Sequence, residues 1–167
     1  VQHVARGADG ILFFQWRASR AGAEKFHSGL VPHAGTETRL WREVVGLGRT
    51  LAAISEVAGA RSHNEVAVLF DWQAWWACEL DAHPSEDVRY WDTVESAHRA
   101  LTDCGVGVDV VHPESDLSGY RVIVVPVLYL VTDVGAAAVR AAAEAGAHVV
   151  VTYFSGIVDE SDHIRLG

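Results

Sequence analysis

Four short apolar runs constrain this chain more than any other feature: Glu65 to Asp71 (EVAVLFD), Val106 to Val111, Tyr120 to Tyr129 and His148 to Phe154 (HVVVTYF). A strand with one wet face alternates apolar and polar residues, so a run that does not alternate belongs to a strand covered on both faces. Segments of helical character separate these runs. Ser85 is placed to cap a helix from Glu86 to Cys104, with Glu86 and Asp87 in its first turn, where the helix dipole favours them. Val88, Trp91, Val94, His98 and Leu101 form the inner side of that helix, and Gly105 ends it. A mostly alanine helix follows from Asp133 to Ala145 and stops at Gly146. The order strand, helix, strand, strand, helix, strand predicts an α/β domain with a parallel sheet covered by helices. The handedness of parallel crossovers then favours a flavodoxin-like open sheet.

Upstream the pattern is different. Gly10 to Trp16 (GILFFQW) reads as a buried strand, Arg17 to Gly35 as a long polar loop, and Thr36 to Ala58 as a helix. Leu40, Val44, Leu47, Leu51, Ile54 and Ala58 recur at spacings of three and four along that helix, marking one buried stripe, and Gly59 is placed to stop it. One strand-loop-helix unit cannot bury both faces of its strand alone. It therefore reads as the last repeat of something larger, with the seam near residue 62. Two domains are expected, 1–62 and 63–167, the second incomplete at its C-terminal end. The chain starts at Val1 and contains no Met, as expected of a piece cut from a longer protein.

A formal net charge of −9, with Lys25 as the single lysine, argues against a nucleic-acid or anionic-membrane partner, because both need clustered basic residues. No apolar run approaches the roughly 20 residues that span a bilayer. The longest, Val122 to Val131, is interrupted by Pro126. Cys78 and Cys104 lie in no C-x-x-C pair and read as free thiols, so an acidic, soluble, cytoplasmic protein is expected.

Most familiar chemical signals fail on context. Gly105-Val106-Gly107 sits between a helix and the next strand, whereas a dinucleotide fingerprint leads from a strand into a helix. Ser155-Gly156 is the best place for a nucleophile elbow, but Tyr153 occupies a position that wants a small residue, and Ser155 reads as a turn residue. The nine histidines are scattered, with no pair at i, i+4 on a helix, so no metal site and no cofactor is expected. Trp72, Trp75 and Trp76 follow a strand at the sheet's carboxyl edge. Tryptophans there suit a subunit contact or core packing, and either of these better than a ligand crevice.

The segment Phe13 to Gly29 (FFQWRASRAGAEKFHSG) holds the remaining candidates. Phe14 and Trp16 lie two apart at a strand end, so their side chains share a face suited to the apolar C–H face of a sugar ring. Glu24 and His27 are three apart in the loop, where a short helical turn puts carboxylate and imidazole on one side, able to hydrogen-bond adjacent hydroxyls. By spacing alone, a solvated loop with incidental polar residues remains open.

The run Phe13 to Gly29, continued by Leu30-Val31-Pro32-His33, resembles the end of the catalytic barrel of family 42 β-galactosidases. Glu65 to Trp72 (EVAVLFDW) and Tyr153 to Asp159 (YFSGIVD) resemble that family's middle domain, whose fold is related to class I glutamine amidotransferases and forms the trimer interface. The resemblance implies that Gly10 to Trp16 is the eighth strand of a (β/α)8 barrel and the helix from Thr36 its last helix. It implies that Phe14, Glu24 and His27 bind the terminal galactose. For Trp16 it implies either a place beside the sugar or packing in the barrel wall. It also implies a retaining mechanism whose two glutamates, at the ends of the fourth and seventh strands, lie upstream of Val1, so that this stretch alone is expected to be inactive. A β-galactoside substrate and a homotrimer are the expected partners. The second reading is a non-catalytic α/β module that binds a partner protein or a small ligand at the sheet's carboxyl edge.

Overall fold

The computed structural model describes residues 1–83 and 85–166, so Gly167, the end of the expected second domain, lies outside the described residues. The chain divides into two compact units, one of Val1–Ser62 and one from His63 onward.

The second unit is a four-stranded, all-parallel sheet in the order β2-β1-β3-β4, formed by β1 (Val66–Leu69), β2 (Val108–Val111), β3 (Val122–Val125) and β4 (His148–Val151). This is the doubly wound arrangement expected from the apolar runs. Its central strand β1 is buried at every position, whereas β2 and β4, at the edges, are only partly covered. Burying one such side chain as Leu69 stabilises the fold by roughly 1.5–3 kcal/mol.

The expected strand from Tyr120 to Tyr129 is shorter than its apolar run. Pro126 has no N–H to donate, and Val127 turns to φ +46, so the backbone leaves the ladder after Val125. Side chains take over its donors: the Val127 N–H donates to Thr152 Oγ1 at 2.8 Å and the Leu128 N–H to Ser155 Oγ at 3.0 Å. Val127 to Val131 therefore stay buried without being strand.

Among the described residues, three helices flank the sheet. A short one, α3 (Trp72–Cys78), follows β1 directly, and Asp71 caps it by accepting the Gln73 N–H at 2.9 Å. Seven residues are too few to display a helical period, so this helix is not legible in the sequence. The next, α4 (Tyr90–Asp103), begins later than Ser85 implies. The Ser85 hydroxyl accepts the Asp87 N–H two residues on, closing a local turn instead of capping the helix. Tyr90 and Val94 are its buried residues, while Trp91, expected on the inner side, is 46% exposed. Last comes α5 (Asp133–Glu144), capped by Thr132, whose hydroxyl accepts the Gly135 N–H at 3.0 Å.

Asp71 is the one buried charged residue of the core among those described. Its N–H donates to Tyr90 Oη at 2.8 Å. His112 Nδ1 accepts the Glu114 N–H at 3.2 Å, which leaves the other ring nitrogen to carry the proton facing Asp71 Oδ1 at 3.7 Å.

In the first unit, α1 (Gln2–Ala5) precedes the aromatic run, and α2 (Arg39–Ala53) follows the loop. The helix starts three residues later than expected because Thr38 caps it, accepting the Trp41 N–H at 3.3 Å. It ends at Ala53, and a 3-10 turn, Ser55–Val57, occupies the rest of the expected span. Its apolar stripe is only half buried, with Leu40 41% exposed. Gly10 to Trp16 likewise forms no ladder of its own, and Leu12 is 99% exposed. A strand needs hydrogen-bonding neighbours, and within this unit only the return of the loop at Leu30-Val31 supplies one.

Burial, helped by the nearby Glu79 carboxylate, pushes the Cys78 thiol up to about 11. The contribution is present below the ordinary thiol value and is lost as pH rises towards that folded value, so alkali above pH about 9 should destabilise the second unit. At pH about 8 the exposed Cys104 should react with iodoacetamide well before Cys78, read by mass spectrometry of the two peptides. Tyr90→Phe, which leaves the Asp71 N–H without its acceptor, should lower stability by about 1–3 kcal/mol in urea denaturation.

Candidate functional site

The first unit is organised around a loop that returns to its own start. Leu30 N–H donates to Gln15 C=O at 2.9 Å, Val31 N–H to Trp16 C=O at 2.7 Å, and Ala18 N–H to Val31 C=O at 3.0 Å. These bonds make a parallel bridge between Arg17 and Val31. His33 Nε2 lies 2.7 Å from the Ser19 carbonyl, to which it donates, and Ser19 Oγ donates to Gln15 Oε1 at 3.3 Å. The loop between is therefore held at its base although its tip is solvent-exposed.

Gly29 permits this closure. A Cβ there would sit 2.6 Å from the Ala18 nitrogen and 2.8 Å from the Arg17 carbonyl carbon, closer than real side chains approach backbone. Neither Gly29 nor the Ser19–His33 tie was picked out from the sequence. A close backbone approach leaves no composition signal beyond a glycine in a loop.

At the tip, Ala23–Phe26 form a 3-10 turn that carries Glu24, and the His27 N–H donates to Glu24 C=O at 2.9 Å. The turn holds Glu24, and His27 follows it in extended backbone at φ −71, ψ 140. The His27 imidazole stands edge-on to the Phe14 ring, with centroids 6.3 Å apart and planes at 69°. Glu24, His27 and Phe14 are all exposed, and among the described residues neither Glu24 nor His27 has a side-chain hydrogen-bond partner. Lys25 is turned away from Glu24, with Nζ donating to Gly22 C=O at 3.3 Å and lying 4.8 Å from the Phe26 centroid.

Trp16 goes elsewhere. Its ring packs edge-on against Trp41 of α2, at 5.7 Å and 89°. An apolar hollow of about 440 Å³ lies between this segment and α2, lined by Phe13, Phe14, Leu30 and Leu47 among others, and neither Glu24 nor His27 lines it.

Chemically, an apolar ring edge, one carboxylate and one imidazole suit the recognition of vicinal hydroxyls on a ring with an apolar face. They do not suit glycoside cleavage alone: Glu24 is the single acid between Arg17 and Gly35, and retaining cleavage needs two carboxyl groups.

The second unit has its own candidate places. In an open α/β sheet the ligand crevice lies at the carboxyl ends of the strands where the order reverses, here between β1 and β3. Tyr129 and Phe154 stack there at 5.1 Å and 21°, with His83 edge-on to both, so aromatic rings occupy this neighbourhood. The turn after β4 puts Phe154 at φ +59, the strained position a nucleophile takes in an elbow. A phenyl ring cannot attack. Ser155, the residue singled out from sequence, accepts the Leu128 N–H and donates to the Val125 carbonyl, holding the turn together. No group of three or more His, Cys, Asp or Glu stands in metal-binding proximity among the described residues. No described helix is long and apolar enough to cross a membrane.

Comparison with known proteins converges on one family. A family model described as β-galactosidase trimerisation domain matches residues 64–167, and one described as β-galactosidase matches residues 1–54. The chain belongs to the family 42 β-galactosidases. It is 56% identical to a β-galactosidase of Arthrobacter sp over 99% of its own length and 24% of that protein's. It is 47% identical to the β-galactosidase BgaB of Geobacillus sp. (strain Y412MC61) over 98% of its length and 25% of that protein's. Among solved structures it is similar to Gan42B, a GH42 β-galactosidase from G. stearothermophilus, with a TM-score of 0.93 and 39% identity, covering 99% of this chain and 25% of that one. It is equally similar to the β-galactosidase of Bacillus circulans sp. alkalophilus, at 0.93 and 40%, with the same coverage. The chain thus spans about a quarter of the length of these relatives. Its fold is the last strand-helix unit of their barrel followed by an amidotransferase-like open parallel sheet.

Gly29→Ala should lower stability by about 1–3 kcal/mol in urea denaturation, because the added methyl group meets backbone that cannot yield. It should also speed proteolysis within residues 17–31, read by mass spectrometry of limited tryptic digests.

Proposed function

We propose that this chain is part of a retaining β-galactosidase that hydrolyses terminal non-reducing β-D-galactose residues, and that it supplies one half of the galactose pocket. On this reading residues 1–62 are the end of the catalytic barrel and 63–167 the trimerisation domain, in a cytoplasmic homotrimer. The observation that carries it is Glu24 in the 3-10 turn and His27 directly after it, its N–H bonded back to the Glu24 carbonyl, with His27 edge-on to Phe14 and both polar groups left free. The family membership and the β-galactosidase names of its relatives support it.

In this arrangement the Glu24 carboxylate accepts hydrogen bonds from two neighbouring sugar hydroxyls, and His27 donates to or accepts from another. The Phe14 ring covers the apolar C–H face of the galactose and keeps water from it. Trp16 is proposed to act from behind, through its contact with Trp41, holding the segment against the last helix of the barrel. The acid/base and nucleophile are carboxyl groups other than Glu24, standing about 5 Å apart as retention requires. A covalent galactosyl intermediate then forms and is hydrolysed.

In the full-length enzyme, Glu24→Ala or His27→Ala should lower kcat/KM on a nitrophenyl β-galactoside by roughly 10²-fold or more, as for hydrogen bonds lost to a buried sugar. Melting temperatures should stay near wild type, because both side chains are exposed and unpaired. Near-normal turnover in both variants would show that the loop is scaffolding.

A further inference from the structure

We propose that His33 is a positioning residue for the galactose site, pinning the outgoing foot of the loop through Ser19 so that Glu24 and His27 face the sugar. This inference rests on the galactose-pocket reading above and adds to it a residue that acts through those two groups.

The loop has two feet, and the backbone fastens them unequally. On the returning side, Leu30 and Val31 donate to Gln15 and Trp16, so the chain is fixed soon after His27. On the outgoing side the last such bond is Ala18 N–H to Val31 C=O, and the next ordered point is the 3-10 turn that begins at Ala23. Among the described residues, no backbone bond joins any of residues 19–22 to the base. The His33 side chain supplies what the backbone lacks. Its Nε2 donates to the Ser19 carbonyl at 2.7 Å, which leaves Arg20, Ala21 and Gly22 alone between that pin and the turn carrying Glu24. Ser19 is tied in turn to the strand end, its hydroxyl donating to Gln15 Oε1 at 3.3 Å, and Gln15 is the neighbour of Phe14.

The imidazole is itself held from the far side. His33 is the second residue of a turn closed by Gly35 N–H donating to Pro32 C=O at 2.9 Å, and Pro32 fixes the φ that leads into it. The Gly35 carbonyl accepts the Thr38 hydroxyl at 3.1 Å, the same hydroxyl that caps α2. Hydrogen bonds thus run in one line from the start of α2 through this turn and His33 to Ser19 and Gln15, beside Phe14. Alanine at position 33 breaks that line. The consequence for the reaction is geometric: adjacent hydroxyls of one sugar are met only if carboxylate and imidazole keep their places relative to the Phe14 ring. A foot free to swing spreads them over many positions, and ordering them again on binding costs affinity. Losing the pin therefore weakens sugar recognition while every group that touches the sugar remains.

The test uses the full-length enzyme, with far-UV circular dichroism and melting as controls for folding. His33→Ala should lower kcat/KM on a nitrophenyl β-galactoside roughly tenfold, less than the loss of Glu24 itself, and raise the inhibition constant of galactose by a similar factor. His33→Gln, which keeps an N–H donor, should recover most of that loss, whereas His33→Leu, which keeps bulk alone, should not. In a Glu24→Ala background, His33→Ala should cost no more than about threefold further, because one of the two groups it positions is gone. A full additional tenfold loss there, or His33→Gln as impaired as His33→Leu, overturns the inference and leaves His33 a residue that only supports the fold. Normal turnover in His33→Ala beside a defective Glu24→Ala overturns it as well and leaves the pocket reading intact. Near-normal turnover in both Glu24→Ala and His27→Ala overturns the pocket reading itself. Should His33→Ala not fold, His33→Gln against His33→Leu decides by the same readings.

Discussion

Three backbone hydrogen bonds that tie Leu30-Val31 back to Gln15, Trp16 and Ala18 are the constraint on which the proposed site depends. Without them, residues 17–31 would be a long excursion whose side chains could take no fixed place beside Phe14. With them, the loop has a closed base, a 3-10 turn at its tip, and one imidazole brought against one phenyl ring. Gly29 is the residue that lets two backbones come this close, and His33 and Ser19 add a second tie. The chemistry sits on the exposed tip and the precision comes from the base. A scaffold that positions a loop carrying the contacting residues is the common division of labour in α/β enzymes.

The second unit solves a different problem. Its central strand is buried along its whole length, so it needs covering on both faces, and α3, α4 and α5 with their connections supply that cover. Past the carboxyl ends of β3 and β4, where such a sheet can carry a nucleophile, stand aromatic rings. Phe154 takes the elbow position, Tyr129 stacks on it, and Ser155 spends its hydroxyl on backbone groups. What the unit presents outward is a second set of rings around Trp75.

Much of this was legible in the amino-acid order, and the exceptions share a cause. The parallel sheet follows from runs such as EVAVLFD, because double-sided burial writes itself directly into composition. A short turn at Glu24 agrees with the spacing of three between Glu24 and His27, although His27 itself is extended. What could not be read is what neighbours decide. Gly10 to Trp16 is strand-like in every residue but has a partner only near its end, so the run forms no ladder of its own. The run after Pro126 is apolar throughout, yet hydroxyls 25 to 27 residues away, on Thr152 and Ser155, determine that it leaves the ladder. Helix α3 was hidden because a seven-residue helix full of tryptophan has neither the length nor the polar face that displays a period.

A crystal structure of the full-length protein with galactose bound would test the central claim most directly. The account predicts a galactose ring with its C–H face over Phe14, the Glu24 carboxylate within hydrogen-bond distance of two adjacent hydroxyls, and His27 within reach of another. A sugar held in the active site with Glu24 and His27 pointing away from it, or with Phe14 out of contact, would contradict it.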